Sequence, residues 1–256
     1  MENLVFAFEQ KVIQSVRYFY AILNDGNRCL ICNKKTLLLP LCKTCLKENL
    51  SVERALSVKR CKYCGKELIS TVNSCMRCRE EPVITHCDSV WPLFSYRLWN
   101  KELLFKWKIQ GERCLTNLFS NFVFQALKKL DYKIIVPVPP RKGKIRKNGW
   151  DQINDLCLFL EKIYGYKVLK LLDRHSLKQQ KKLNREERLE TIKSAYSLVP
   201  QKKLSKELKK TGGNLPAEVC LLDDVCTTGA TIEACAKILK EVGIEKVNVI
   251  TLFIVD

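Results

Sequence analysis

Apolar residues recur along the chain with two different periods, and their alternation predicts an α/β protein. Residues 2–23 place Val5, Phe8, Val12, Val16, Phe19 and Leu23 three or four apart, the spacing of one helix face. Residues 89–96 read as a strand, 103–109 and 115–130 as helices, and 132–140 as a buried strand ending in a proline-stiffened loop. A helix opens at Asn148-Gly149-Trp150-Asp151-Gln152 and runs to Tyr164. Residues 173–193 are polar and basic, and 201–214, Lys-rich and ending Gly212-Gly213-Asn214, read as an exposed loop. Val219 to Leu222 is a short continuous apolar run, the mark of a strand buried on both faces. A helix over 232–242 and a strand over 245–255 close the pattern, which is that of a parallel sheet with flanking helices. Glu81-Pro82 marks a boundary, so the expected organisation is an amphipathic helix over 1–25, a small cysteine-rich module over 26–84 and the α/β domain over 85–256.

The junction after Leu222 carries the densest chemistry. The run Asp223-Asp224-Val225-Cys226-Thr227-Thr228-Gly229-Ala230-Thr231 puts two carboxylates and a Thr/Gly turn at the carboxyl end of a strand, where open α/β sheets place ligands. Gly229 admits close backbone approach, the threonines offer hydroxyl donors, and the N–H groups opening the next helix favour an anion. Asp223 and Asp224 suit paired hydroxyls such as those of a ribose, so the stretch fits a sugar phosphate. The plainer reading is an acidic strand end followed by a Thr N-cap. Cys226 reads as turned away from such a ligand, with activation by the helix N–H groups as the alternative.

Cysteine spacing adds a second chemistry. Eight of the 14 cysteines form four C-x2-C pairs: Cys29/Cys32, Cys42/Cys45, Cys61/Cys64 and Cys75/Cys78. Two such turns complete a tetrahedron of thiolates, so two structural Zn²⁺ are expected, with reduced thiols or iron–sulfur ligation as alternatives. Spacing leaves open whether the turns pair consecutively or interleave. The apolar run from Leu4 to Phe8 is broken by Glu9, Gln10 and Lys11 with no cleavage site after it, and no stretch has the length of a membrane span. The expected location is the reducing cytoplasm.

Charge changes the list of partners. The formal net charge is +18, and residues 141–213 hold 20 Lys/Arg against 8 Asp/Glu. A local basic block points to an anionic partner, whether nucleic acid, nucleotide or acidic membrane, with a solvated Lys-rich face as the alternative. Trp91, Trp99, Trp107 and Trp150 are candidates to stack on bases or to fill the core. His175, one of two histidines, reads as a surface residue.

The stretch from Asp223 to Thr231 resembles the signature of type I phosphoribosyltransferases, which bind 5-phosphoribosyl 1-pyrophosphate (PRPP) with Mg²⁺. The resemblance implies that Thr227–Thr231 hold the 5′-phosphate, that Asp223 and Asp224 meet the ribose hydroxyls as the catalytic pair, and that the loop at Val138, Pro139 and Arg141 meets the pyrophosphate. Taken with the cysteine pairs, Tyr96, Lys108-Ile109-Gln110-Gly111, Val136-Pro137-Val138-Pro139 and the Gly149-Trp150-Asp151-Gln152 helix start, the chain resembles the ComF family, in particular its ComFC-like members. Arg174, Gln180, Leu183, Arg188 and Ala195-Tyr196 match that family's middle motif, where Arg174, Gln180 and Arg188 belong to a flexible loop that closes over PRPP. Asn148 stands where the family has Arg, and Thr191 where it has Asn. The family implies a double zinc ribbon, PRPP binding, and a cytoplasmic role with single-stranded DNA in natural transformation, with a DNA-translocation helicase of the competence system among the partners. The alternative is a phosphoribosyltransferase of nucleotide metabolism acting on a nitrogenous acceptor.

Overall fold

The structure is a computed structural model that describes residues 27–36, 39–69, 72–140, 149–175 and 195–255. The amphipathic helix expected over 1–25, and the expected site residues Arg141, Gln180 and Arg188, lie outside them.

The cysteine-rich segment is built from tight turns. Strands β1 (Asn27–Arg28) and β2 (Lys35–Thr36) pair antiparallel and flank the first C-x2-C turn. Helix α1 (Lys43–Asn49) starts on the second turn, with the Cys42 sulfur accepting from the Cys45 N–H. Helix α2 (Val52–Ser57) follows, capped by Ser51, and α3 (Met76–Glu80) begins at Cys75. Gly65 closes the third turn at φ 72°, and a Cβ there would lie 2.2 Å from the Val90 carbonyl oxygen. Only glycine lets this knuckle sit so close to the neighbouring strand.

That strand, β3 (Ser89–Ser95), opens the α/β part. Helices α4 (Leu98–Lys108) and α5 (Cys114–Leu130) lead to β4 (Ile134–Pro137), and α6 (Gln152–Lys162) leads to β5 (Lys167–Val168). An antiparallel ribbon of β6 (Leu172–Arg174) and β7 (Tyr196–Leu198) precedes α7 (Gln201–Leu208) and a 3₁₀ turn over Lys209–Thr211. The chain ends in β8 (Glu218–Cys226), α8 (Ala230–Glu241) and β9 (Lys246–Ile254). Five strands form one parallel sheet in the order β3-β9-β8-β4-β5.

Two cores cover the sheet. On one face Cys220 and Leu222 pack with Trp107, Phe119, Leu156 and Leu160 of α4, α5 and α6. On the other, Val219 and Leu221 pack with Ile232, Cys235 and Leu239 of α8, and with Tyr196 and Leu204. The apolar run of β8 is thus buried on both sides, as its composition requires. Near the carboxyl end the alternation breaks at one level across three strands. Leu93 and Phe94 both enter the first core, as do Leu252 and Phe253, and Val225 joins them while Cys226 turns to the second. Such a break re-aims side chains where a sheet meets a site.

Two expectations need correction. Residues 201–214 are not a loop: Gln201–Leu208 is helical. Leu204 is buried and Leu208, one turn on, packs against the same core, while Glu207 accepts from the Lys170 N–H at 2.9 Å. β8 also runs past Leu222 to Cys226, because pairing with β9 continues to Cys226↔Ile254, so the acidic pair lies inside the strand.

Candidate functional site

The two aspartates leave β8 on opposite faces, as alternation along a strand demands. Asp224, 9% exposed, faces the α4 side, where Lys108 Nζ lies 2.7 Å from its Oδ2. Lys108 is placed by the helix start at Gly149-Trp150-Asp151-Gln152. Gln152 is fully buried and its Nε2 donates to the Lys108 carbonyl at 3.1 Å. Trp150 packs edge-on to Trp107 at 6.4 Å, and Arg113 sits over Trp150 while pairing with Asp155 at 2.6 Å. Asp151 caps α6 by accepting from the Asn154 N–H at 3.0 Å. Two motifs that are separate in sequence therefore build one support for one ion pair.

Asp223, half-buried, faces the ribbon and α8. Its Oδ1 accepts from the Asp224 N–H at 2.8 Å. Burial pushes the Cys235 thiol well above its ordinary value, with the Asp223 charge adding to the effect. Burial likewise raises the Tyr196 phenol, while Arg174 and Thr231 act to lower it. The Arg174 guanidinium lies 5.0 Å from the Tyr196 ring. Arg174 thus stands on the Asp223 side of the sheet, and His175 is exposed with Nε2 2.6 Å from Ser197 Oγ.

The turn after β8 is open. Thr227 and Thr228 are exposed, Gly229 takes φ 88°, and Thr228 Oγ1 accepts from the Ala230 N–H at 3.3 Å. The Cys226 side chain is buried, and burial drives its thiol up to about 12, so it is turned from the turn and inert. Val138 meets the same strand end, its N–H donating to the Leu222 carbonyl at 2.9 Å, with Pro139 beside it. Val138 and Pro139 therefore border the β8 end. A cleft of about 570 Å³ lies on the other side of the turn, lined by Met76, Val83, Ile84, Thr227, Thr228 and Val255.

The eight C-x2-C thiols form two sets in consecutive order. Cys29, Cys32, Cys42 and Cys45 make one and Cys61, Cys64, Cys75 and Cys78 the other, with the sulfurs in each within 4.8 Å of one another. Sulfurs bound tetrahedrally at about 2.3 Å stand about 3.8 Å apart. The Cys32–Cys42 and Cys64–Cys75 separations of 3.6 and 3.8 Å match. Burial opposes ionisation, yet backbone N–H donors bring Cys29 down to about 6 and Cys61 to about 7. Burial and the neighbouring thiols push Cys45, Cys64 and Cys78 up, so a metal would draw off the remaining protons as it binds. Each set could hold one zinc ion, and neither leaves an open position for catalysis.

Arg77 and Glu233 are functional candidates absent from the sequence analysis, and Lys108 entered it as part of a motif without a role. Arg77 donates to the carbonyl oxygens of Thr228 at 3.1 Å and, more loosely, Thr227 at 3.5 Å. Glu233 binds Thr85 and His86. The only signals were the motif around Lys108 and the placement of Arg77 between two cysteines.

A parallel sheet covered on both faces, an acidic strand end opening into a Thr-Gly helix start, and two four-cysteine sites ahead of it define the class. This is a phosphoribosyltransferase-like α/β protein with an N-terminal double four-cysteine segment. No family model matches the chain. It is 27% identical over 214 residues to competence protein ComFC of Streptococcus pneumoniae, covering 83% of this chain and 86% of that protein. It is 26% identical over 221 residues to competence protein F of Haemophilus influenzae, covering 82% and 88%. These relatives bear out the resemblance to the ComF family. Among the described residues, no helix is long and apolar enough to cross a membrane.

Proposed function

We propose that the β8–α8 junction binds PRPP with Mg²⁺ and that the protein acts on single-stranded DNA in natural transformation. The carrying observation is the buried Asp224 held by Lys108 at a strand end that opens directly into the exposed Thr227-Thr228 pair ahead of α8. Thr227, Thr228, Thr231 and the first N–H groups of α8 take the 5′-phosphate. Asp223 and Asp224 receive the ribose hydroxyls, one from each face of β8. Val138, Pro139 and Arg141 border the pyrophosphate, whose oxygens Mg²⁺ neutralises. Arg174, with Gln180 and Arg188, closes over the ligand. The competence role rests on the similarity to two competence proteins, and the DNA role on the net charge of +18.

Calorimetric titration of Mg²⁺ and PRPP into the zinc-loaded protein tests the site. Wild type is expected to bind, and Asp223→Ala/Asp224→Ala to reduce affinity at least 100-fold, about 2.7 kcal/mol. Unchanged affinity in the double variant rejects the site. Release of pyrophosphate on adding nitrogenous acceptors would show a transferase rather than a binding protein.

A further inference from the structure

We propose that the second four-cysteine site is a positioning element for the Thr227–Thr231 turn, and that Arg77 transmits its metal occupancy to anion affinity. The inference rests on the reading that this turn binds a phosphate. Helix α3 has five residues, too few to hold its own shape in water. It is held by two thiols of the second set, Cys75 at its N-cap and Cys78 at its middle, so metal at that set orders the helix. Arg77 lies between those ligands.

Arg77 reaches across the chain to the turn. Its guanidinium donates to the Thr227 and Thr228 carbonyl oxygens, 150 and 151 residues away. Holding two successive carbonyls on one side keeps the adjoining N–H groups pointed to the other, where an anion would sit. Two further contacts come from the segment that follows. Ile84 covers Gly229 so closely that a Cβ there would lie 2.6 Å from Ile84 Cγ1. Thr85 and His86 donate to Glu233 in the first turn of α8, with distances of 2.7 Å from the Thr85 N–H and 3.1 Å from the His86 N–H. The turn and the helix start are thus gripped by residues 77–86.

The first set packs elsewhere. Cys29 and Cys45 belong to the core on the α4–α6 face, whereas Cys64 and Ile84 pack with Cys226 and Ile232 on the α8 face. One zinc site therefore reports on the turn and the other does not, which supplies an internal control.

Coupling is reciprocal: if metal at the second set raises phosphate affinity, PRPP must raise affinity for that metal by the same factor. The test follows equilibrium competition for zinc between the full-length protein and a chromophoric chelator, with and without Mg²⁺ and PRPP. Of the two zinc equivalents, one is expected to be held about 10-fold more tightly against the chelator with PRPP and the other with unchanged affinity. Arg77→Ala is expected to keep two zinc ions, bind PRPP about 10-fold more weakly and lose the selective protection. Arg77→Lys, which keeps the charge but not the fork, is expected to restore little, and Arg79→Ala, an exposed neighbour on α3, to behave as wild type. Protection of neither ion or of both equally overturns the proposal, as does protection that survives in Arg77→Ala. If wild type binds no PRPP by calorimetry, the site reading fails and takes this one with it. Binding without selective protection refutes the coupling alone.

Discussion

Asp224 joins fold stability to the proposed ligand site. Its carboxylate is nearly out of solvent, and Lys108 at 2.7 Å supplies the compensating charge. Removing one partner of such a pair leaves the other charge unpaired, which costs more than the pair itself contributes. Lys108→Met should therefore destabilise the protein by about 2 kcal/mol, less than for a fully buried pair because both side chains still touch water. Lys108→Met combined with Asp224→Asn should recover much of that loss, since the amide leaves no uncompensated charge. Urea unfolding of the two single variants and the double variant completes the cycle. Equal costs of Lys108→Met with Asp224 and with Asn in its place would show that the two side chains are not coupled. Lys108 engages Oδ2, so the proposed ribose contact has the other carboxylate oxygen to use without breaking the pair.

At the scale of elements, α8 is secured at its first turn by Glu233. Burial alone would raise its carboxyl, but hydrogen bonds from Thr85 and His86 bring it below the usual value of 4.5. Asp88 on the same segment is lowered in the same way: burial opposes, while Lys240 and the Val247 N–H hold the charged form. A carboxyl depressed in the folded state stabilises fully above its unfolded value and loses that contribution as pH falls through its folded value. Glu233→Gln should thus lower the melting temperature at pH 7 and flatten its decline below about pH 4.5. Melting curves of the two proteins that stay parallel down to pH 3 would refute this. The sequence is silent on that contact because Thr85 and Glu233 are 148 residues apart. It speaks clearly where burial dictates composition, as in the run Val219–Leu222. Helix α7 was missed because its apolar face shrinks to Leu204 and Leu208 among lysines, and the β6–β7 ribbon because its strands are three residues each. The C-x2-C turns were evident, but only the fold shows that they pair consecutively.

Over the whole molecule the surplus of positive charge is the property most open to test. Within the basic stretch, Lys202, Lys203 and Lys206 are exposed along α7, whereas Lys210 is engaged with Glu207 and the Val168 carbonyl. The tryptophans divide sharply. Trp107 is fully buried and donates to Thr116 Oγ1, Trp150 is buried, and Trp91 is half-buried with its indole N–H donating to Ser89 Oγ. Trp99, 46% exposed, is the one of the four free to stack on a base. If single-stranded DNA binds, each lysine on a phosphate contributes about 0.7 to the slope of log affinity against log salt. Neutralising Lys202, Lys203 and Lys206 to Gln should therefore reduce that slope by about 2 and weaken binding most at low salt. Trp99→Ala should instead cost about 1–3 kcal/mol at every salt concentration, with the slope unchanged, since stacking releases no counterions. Anisotropy titrations of a labelled oligonucleotide from low to high salt separate the two. A slope that ignores the three lysines would move the nucleic-acid face away from α7, and an affinity that ignores Trp99 would leave phosphate contacts as the whole of the binding.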